Sequence, residues 1–509
     1  MISQHLLTLL IFVPMVAALA LLFIPSGYSS YNKWIALGVS LVQLLLLSSV
    51  ISQFVPSAGF QLQERVPWIN LGELSVEYFI AIDGLSFPLV ALSVFVSMIA
   101  VISSWKVNDR SKGYFALLLI LNGAVIGTFV ALDLLLFYLF FEFMLLPMFF
   151  LIGIWGGPKR EYASIKFFLY TLLGSILILL VFIGLYVSSN SLALPELSAK
   201  IEAGRIFSTV NAWNILGWPA RNWAFLLLLI GFGIKLPMVP LHTWLPDAHV
   251  EASTPISVIL AALLLKIGGY GLLRVAYPLF PDAAVVMSTT VAVIGMISIV
   301  YGAMNALASK DFKRLIAYSS VSHMGFVLLG TASATPEGIA GAVFQMSSHG
   351  LISSMLFLIA GVLYDRTHDR KIANYSGLAT KMPVYTSFVL VGFFATLGLP
   401  ALSGFIGEVM VFLGAFRSDL IPGWIAVVST TGLIFGAGYC LWTIQRMFFG
   451  KFAARVEGEL TDLDGREKLM LLPLAVMIIV LGVFPQVLIQ YINPYSLQLV
   501  DIIKNSINN

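Results

Sequence analysis

The sequence predicts an all-α polytopic membrane protein of about 14 transmembrane helices, with two inverted five-helix repeats that each contain a broken helix. Three observations carry this reading. The 509 residues are 59% hydrophobic and only 10% charged, a balance that excludes an ordinary soluble globule. The apolar residues fall in runs of about 20, the length a helix needs to cross a bilayer. Two of those runs, five helices apart, are interrupted by proline and glycine at corresponding places. A β-barrel is excluded because its strands alternate apolar and polar residues, and these runs do not.

In chain order the spans are expected near 5–24, 33–53, 79–105, 113–132, 133–155, 164–187, 223–244, 254–277, 284–307, 312–331, 338–363, 383–415, 422–449 and 468–491. They divide the chain into helices 1–3 (residues 1–112), a first five-helix repeat (113–283), a second (284–450), and a loop with helix 14 (451–509). The run from Met1 to Ile24 has no Lys or Arg ahead of it and no small-residue cleavage site, so it is read as a retained span rather than a signal peptide. The segments 56–77, 189–222, 364–382 and 450–467 are too short to bury cores of their own. The last of these mixes Lys451, Arg455, Glu457, Glu459, Asp462, Asp464 and Arg466 and reads as a solvated loop. Of the 28 Lys and Arg, 19 fall on one set of loops (Lys33 and the stretches 106–112, 159–166, 310–314, 366–381 and 446–468). Seven fall on the other (Arg65, Lys200, Arg205, Arg221, Arg274, Arg417 and Lys504). That bias puts the richer set in the cytoplasm and both termini outside it.

Several chemistries are left without support. There is no G-x-G-x-x-G after a strand and no Walker A sequence, so a nucleotide site is not expected. The single Cys440 provides neither a disulfide framework nor a thiolate set for an iron–sulfur cluster. A net charge of +3 makes no case for nucleic acid.

What remains is a set of ionisable residues inside apolar runs: Glu142, Lys235, Lys266 and Glu408. Charges at such depth are costly and usually mark a proton or ion path. Lys235 precedes Pro237 and Pro240, a break expected near 235–240. Glu408 follows Gly398, Pro400 and Gly404, a break expected near 398–404. Proline cannot donate its backbone hydrogen bond, and freed backbone groups inside a membrane are tolerated only where protein or water satisfies them. Both intramembrane cations are lysine, which can give up a proton where arginine essentially cannot. A Glu142–Lys235 pair at about 4 Å would interact by roughly 4 kcal/mol at an effective dielectric near 20, enough to decide where a proton rests.

His323 and His349, each beside serines, are candidates for a proton wire; a pair of hydrogen-bonded structural histidines and a b-type haem site are the alternatives. The loop from Leu241 to Glu251 holds His242, Asp247 and His249 but sits at a helix end, where structural roles outweigh a metal site.

The block from Lys235-Leu236-Pro237 through His242-Thr243-Trp244-Leu245-Pro246-Asp247-Ala248-His249 and Glu251-Ala252-Ser253-Thr254-Pro255 to Leu265-Lys266-Ile267-Gly268-Gly269-Tyr270-Gly271 resembles the antiporter-like membrane subunits of respiratory complex I. Within that group the resemblance is to the subunit M family, related to mitochondrial NADH dehydrogenase subunit four. Glu408 stands where the sister subunits L and N, and Mrp antiporter subunits, use lysine. The chain ends without the long lateral helix of subunit L, and Phe141-Glu142-Phe143-Met144-Leu145-Leu146-Pro147-Met148 is similar to the fifth-helix motif of the family.

The resemblance covers essentially the whole chain. It implies a proton-translocating membrane subunit of a proton-pumping NADH:quinone oxidoreductase, driven by quinone reduction elsewhere. In it Glu142 and Lys235 form the coupling pair, Lys266 relays, Glu408 is the distal proton site, and His323 and His349 line the polar axis. It further implies no cofactor or metal in this chain, with NADH, FMN, iron–sulfur clusters and quinone in partner subunits. Subunits L and N would flank it in the cell inner (cytoplasmic) membrane. A Mrp-type cation/proton antiporter subunit, or a membrane subunit of an energy-converting hydrogenase or ferredoxin-driven relative, is the alternative.

Overall fold

Two helices lie wholly inside the bundle, and the rest of the architecture encloses them. In the computed structural model, residues 5–25, 30–57, 59–71, 74–202, 214–215, 217–455 and 459–508 are described; Arg205 and Glu457, counted above as loop charges, lie outside them. The chain opens with α1 (Leu6–Leu22) and α2 (Asn32–Gln53), then an antiparallel hairpin of β1 (Gln61–Leu71) and β2 (Leu74–Ile82). Helices α3 (Ser86–Ser103) and α4 (Ser111–Val130) follow. Next come α5 (Leu134–Phe143) and α6 (Leu145–Trp155), nearly one helix with a turn at Met144, then α7 (Arg160–Ser189) and the short α8 (Leu194–Glu202).

The seventh expected span holds α9 (Ala220–Lys235), which ends where Pro237 and Pro240 cannot continue the helical ladder, and α10 (Trp244–Glu251) forms in the stretch expected to be a loop. Then α11 (Thr254–Leu279) carries two π-helical turns, Leu260–Leu264 and Leu272–Ala276. Then come α12 (Pro281–Ala308), α13 (Phe312–Ala332) and α14 (Pro336–Thr367). A second break separates α15 (Pro383–Thr396) from α16 (Ser403–Arg417), and α17 (Gly423–Phe448) follows. The chain closes with α18 (Gly465–Val483) and α19 (Gln486–Asn508), bent by 64° from one another.

Local sequence explains the boundaries. Asp133 caps α5 and Asp311 caps α13 through backbone N–H groups of the first turn, Thr335 caps α14, and Asp464 with Glu467 closes a capping box on α18. Pro281, Pro336 and Pro383 stand in first turns, where the missing N–H costs nothing.

Among the described residues, ten helices are long and apolar enough to cross a membrane, or eleven if the bent pair α18–α19 counts as one span. The other expected spans fall on α1 and α18 and on the broken segments α9–α10 and α15–α16, whose pieces are individually short. Burial then sorts the helices. The apolar windows of α11 and α14 are 100% buried, whereas those of α2, α7 and α17 are 28%, 39% and 33% buried and face outward. The enclosed pair carries Lys266 and His349.

Three expectations need correction. The segment 56–77 is largely a β-hairpin whose second strand runs to Ile82, so the third helix begins at Ser86 rather than near 79. The C-terminal residues beyond 486 form α19, which a search for apolar runs misses. Its polar residues recur along one side of the helix. Arg274 and Lys313, read as loop charges, are 5% and 6% exposed.

Arg274 Nη2 donates to Asp83 Oδ1 at 2.5 Å, and its guanidinium lies over the rings of Phe60, Tyr270 and Tyr495. The Tyr495 hydroxyl donates to the Leu273 carbonyl at 2.6 Å, so this pair ties the hairpin exit, α11 and α19 together. Removing one partner of such a pair strands the other charge. Arg274→Ala is therefore expected to cost about 3–5 kcal/mol, while replacing both residues with Met and Leu recovers most of it. Thermal denaturation midpoints of the detergent-solubilised variants check this; equal midpoints for Arg274→Ala and the parent would contradict it.

Candidate functional site

The two enclosed helices bring four of the six singled-out residues into one row. Lys266, on α11 just past the first π turn, folds back toward the helix N-terminus, as helical side chains do. Its ammonium donates to the Ala261 carbonyl at 2.5 Å and lies 2.7 Å from His349 Nδ1 on α14. A π turn widens the helix and leaves carbonyls free for such a contact. The rings of His349 and His323, the latter on α13, are 5.3 Å apart between centroids and tilted by 43°. His323 Nδ1 in turn is 3.7 Å from Glu408 Oε1 on α16, and it accepts from Gln345 Nε2 at 3.1 Å. All of these side chains are buried, between 0% and 5% exposed.

The second break shapes the end of this row. Gly398, the residue at which α15 gives way, has φ +73, and a Cβ built there would lie 2.3 Å from Glu408 Oε2. The left-handed backbone and the missing side chain both admit the carboxyl group. Ser348 on α14 donates to Ser403 at the start of α16 at 2.7 Å, pinning the restarted helix against the central one.

Glu142 and Lys235 form a separate station. Glu142 is next to last in α5, immediately before the turn at Met144, and its carboxyl faces Ser175 on α7 and Lys235. Lys235 is the last residue of α9, 1% exposed, with Nζ 4.6 Å from the ring centre of Phe141 and 6.0 Å from that of Phe167. The expected contact at about 4 Å is not made: the two charged groups are more than 4.0 Å apart, and Glu142 Oε1 and Lys235 Nζ are both buried without a hydrogen-bond partner. The ammonium lies instead over the ring of Phe141, a cation–π contact. No hydrogen bond joins Lys235 to Lys266, although α9 packs on α11.

Sequence reasoning assigned the loop 241–251 to structure, and Asp247 fits that, pairing with Lys166 at 2.8 Å and Arg314 at 3.4 Å. His249 does not. It is fully buried, stacked on Phe357 at 4.4 Å, and neither ring nitrogen has a hydrogen-bond partner. Lys313, also buried, donates to the nearby Ala252 carbonyl. Gln345 was missed as well, since an uncharged amide gives no signal in an apolar run. Among the described residues no group of three or more His, Cys, Asp or Glu is placed to hold a metal ion.

A family described as NADH:quinone oxidoreductase/Mrp antiporter, TM, matches residues 131–434, which include all six residues. NADH-quinone oxidoreductase subunit M of Rhodobacter capsulatus is 41% identical, covering 98% of this chain and 96% of that protein. NAD(P)H-quinone oxidoreductase chain 4 1 of Synechococcus sp. (strain JA-2-3B'a(2-13)) is 40% identical over 95% of this chain and 90% of that one. The chain belongs to the subunit M family of NADH:quinone oxidoreductases.

A chain of the respiratory complex I from Thermus thermophilus with bound NADH superposes on this subunit M homologue with a TM-score of 0.85. It is 30% identical and covers 98% of this chain and 99% of its own. An archaeal membrane-bound sulfane sulfur reductase chain, 24% identical with a TM-score of 0.81 over 94% of this chain and 76% of its own, shares the fold. The multi-pass helical membrane architecture is thus that of the family.

The Gly398 contact generates a test within this family fold. Gly398→Ala adds about 1–2 kcal/mol of left-handed backbone strain and pushes the Glu408 carboxyl out of line with His323. The expected result is a lowered thermal midpoint of the detergent-solubilised variant. A parent-like midpoint would contradict the placement of Glu408 against Gly398.

Proposed function

We propose that this chain conducts protons across the membrane as subunit M of a proton-pumping NADH:quinone oxidoreductase, along Lys235, Lys266, His349, His323 and Glu408, under the control of Glu142. The observation that carries the proposal is the Lys266–His349–His323–Glu408 row, enclosed by two fully buried helices, with its first contact at hydrogen-bond length. Every member can hold a proton and pass it on, and none is an arginine.

In this reading the Lys266 ammonium gives its proton to His349 Nδ1, the charge moves ring to ring to His323, and Glu408 receives it. The last gap of 3.7 Å is longer than a hydrogen bond and closes by rotation of the Glu408 side chain. Glu142 supplies the drive. With Oε1 and the Lys235 ammonium both unpartnered, swinging the carboxyl toward the lysine would satisfy both at once, by roughly 4 kcal/mol at about 4 Å and an effective dielectric near 20. Swinging it away releases the proton on Lys235 toward Lys266.

The reading extends to the assembly. Residues 113–283 and 284–450 act as inverted repeats, one around each break. NADH, FMN, iron–sulfur clusters and quinone belong to partner subunits, and the sister subunits L and N flank this one. The chain lies in the cytoplasmic (inner) membrane with both termini outside the cytoplasm, as its loop charges favour.

Glu142→Gln keeps the size of the side chain and removes the charge. The expected result is normal insertion and assembly, with NADH-driven proton uptake by liposomes containing the purified complex falling to background. Normal pumping by that variant would sink the proposal.

A further inference from the structure

Gln345 has no place in the relay described above, yet it touches the row at His323. We propose that Gln345 is a positioning residue whose amide selects which nitrogen of His323 carries the proton, and so gates transfer between His323 and Glu408. The proposal rests on the proton-relay reading.

Gln345 Nε2 faces His323 Nδ1 at 3.1 Å. An amide N–H can only donate, so Nδ1 must present its lone pair and the neutral ring keeps its proton on Nε2. Glu408 Oε1 lies 3.7 Å from that same Nδ1. In this orientation the ring can take a proton from Glu408 but has none to give it. Half a turn of the amide places Oε1 against Nδ1, which then must carry the hydrogen. Only that form can donate to the Glu408 carboxylate through Nδ1 while accepting a new proton on Nε2. One N–H bond breaks and one O–H bond forms at Glu408; a second N–H forms on the far side of the ring.

Both ends of the exchange are free to change partners. Gln345 Oε1 and His323 Nε2 are buried, and neither has a hydrogen-bond partner. The amide is also backed by the helix that carries Glu408: a Cβ at Gly407 would lie 2.3 Å from Gln345 Oε1. The residue beside the acceptor thus packs directly against the amide, with no side chain between them.

The test uses the purified complex in liposomes, with NADH-driven proton uptake measured in H2O and in D2O. Gln345→Met fills the same space without donor or acceptor. The expected result is a loss of about tenfold or more in uptake rate, the scale of a misplaced acid–base partner, with a larger solvent isotope effect because the gated transfer becomes limiting. Parent-like uptake, or slow uptake with an unchanged isotope effect, overturns the proposal. Gln345→Glu, which differs from the parent at one atom and can only accept or donate through oxygen, covers the case in which the Met variant does not assemble. It too is expected to lose uptake, and normal uptake overturns the inference. Glu408→Gln is run beside them. If it pumps normally, the relay reading itself fails; if it stops pumping while Gln345→Met does not, only the role of Gln345 fails.

Discussion

A lysine held inside a fully enclosed helix, with a carbonyl and an imidazole for partners and no carboxylate within 4.0 Å, is the constraint from which the rest of this structure follows. A lone buried cation is expensive unless hydrogen bonds satisfy it or its proton moves on. Here the π turn before Lys266 supplies the carbonyl, and α14 must come close enough to supply His349. That in turn requires α14 to be buried along its length, with α13, α16, α18 and α19 packed around it. The broken helices serve the same end. The first break follows Lys235 directly and the second lies just before the helix that carries Glu408, and both of these side chains are buried.

The two halves of the site are in different conditions. From Lys266 to Glu408 the groups are in contact or nearly so, and the row resembles a wire at rest. At Glu142 and Lys235, opposite charges face each other without touching, and the ammonium lies over the Phe141 ring. An interaction of this size, made and broken, is sufficient to bias which way a neighbouring lysine sends its proton. In the proposed relay the row from Lys266 to Glu408 would conduct and the Glu142–Lys235 station would switch, on different helices of the same bundle.

Much of this was legible in the sequence for a simple reason: a charge in an apolar run has few innocent explanations. Glu142, Lys235, Lys266 and Glu408 declare themselves this way, and the paired proline–glycine interruptions locate both breaks to within a few residues. The histidines needed company to be convincing, and only the fold provides it by stacking His349 and His323 between Lys266 and Glu408. What sequence could not supply was side-chain direction. Glu142 and Lys235 lie more than 4.0 Å apart, and the ammonium rests over the ring of Phe141. Arg274 and Lys313 were misread because a charge near the end of a run looks like a loop residue until its burial is known. Gln345 had no signal, being neutral, and His249 was assigned with its neighbours to a structural loop although it lies buried in α10.

The most direct test of the wire is the proton-to-electron ratio of the assembled complex carrying His349→Asn, which keeps a hydrogen-bonding side chain but cannot hold the proton. The account predicts that quinone reduction by NADH yields fewer translocated protons per electron pair than in the parent, because the step from Lys266 has lost its acceptor. A parent-like ratio would mean that protons do not pass through His349, and the row from Lys266 to Glu408 would be structural rather than conducting.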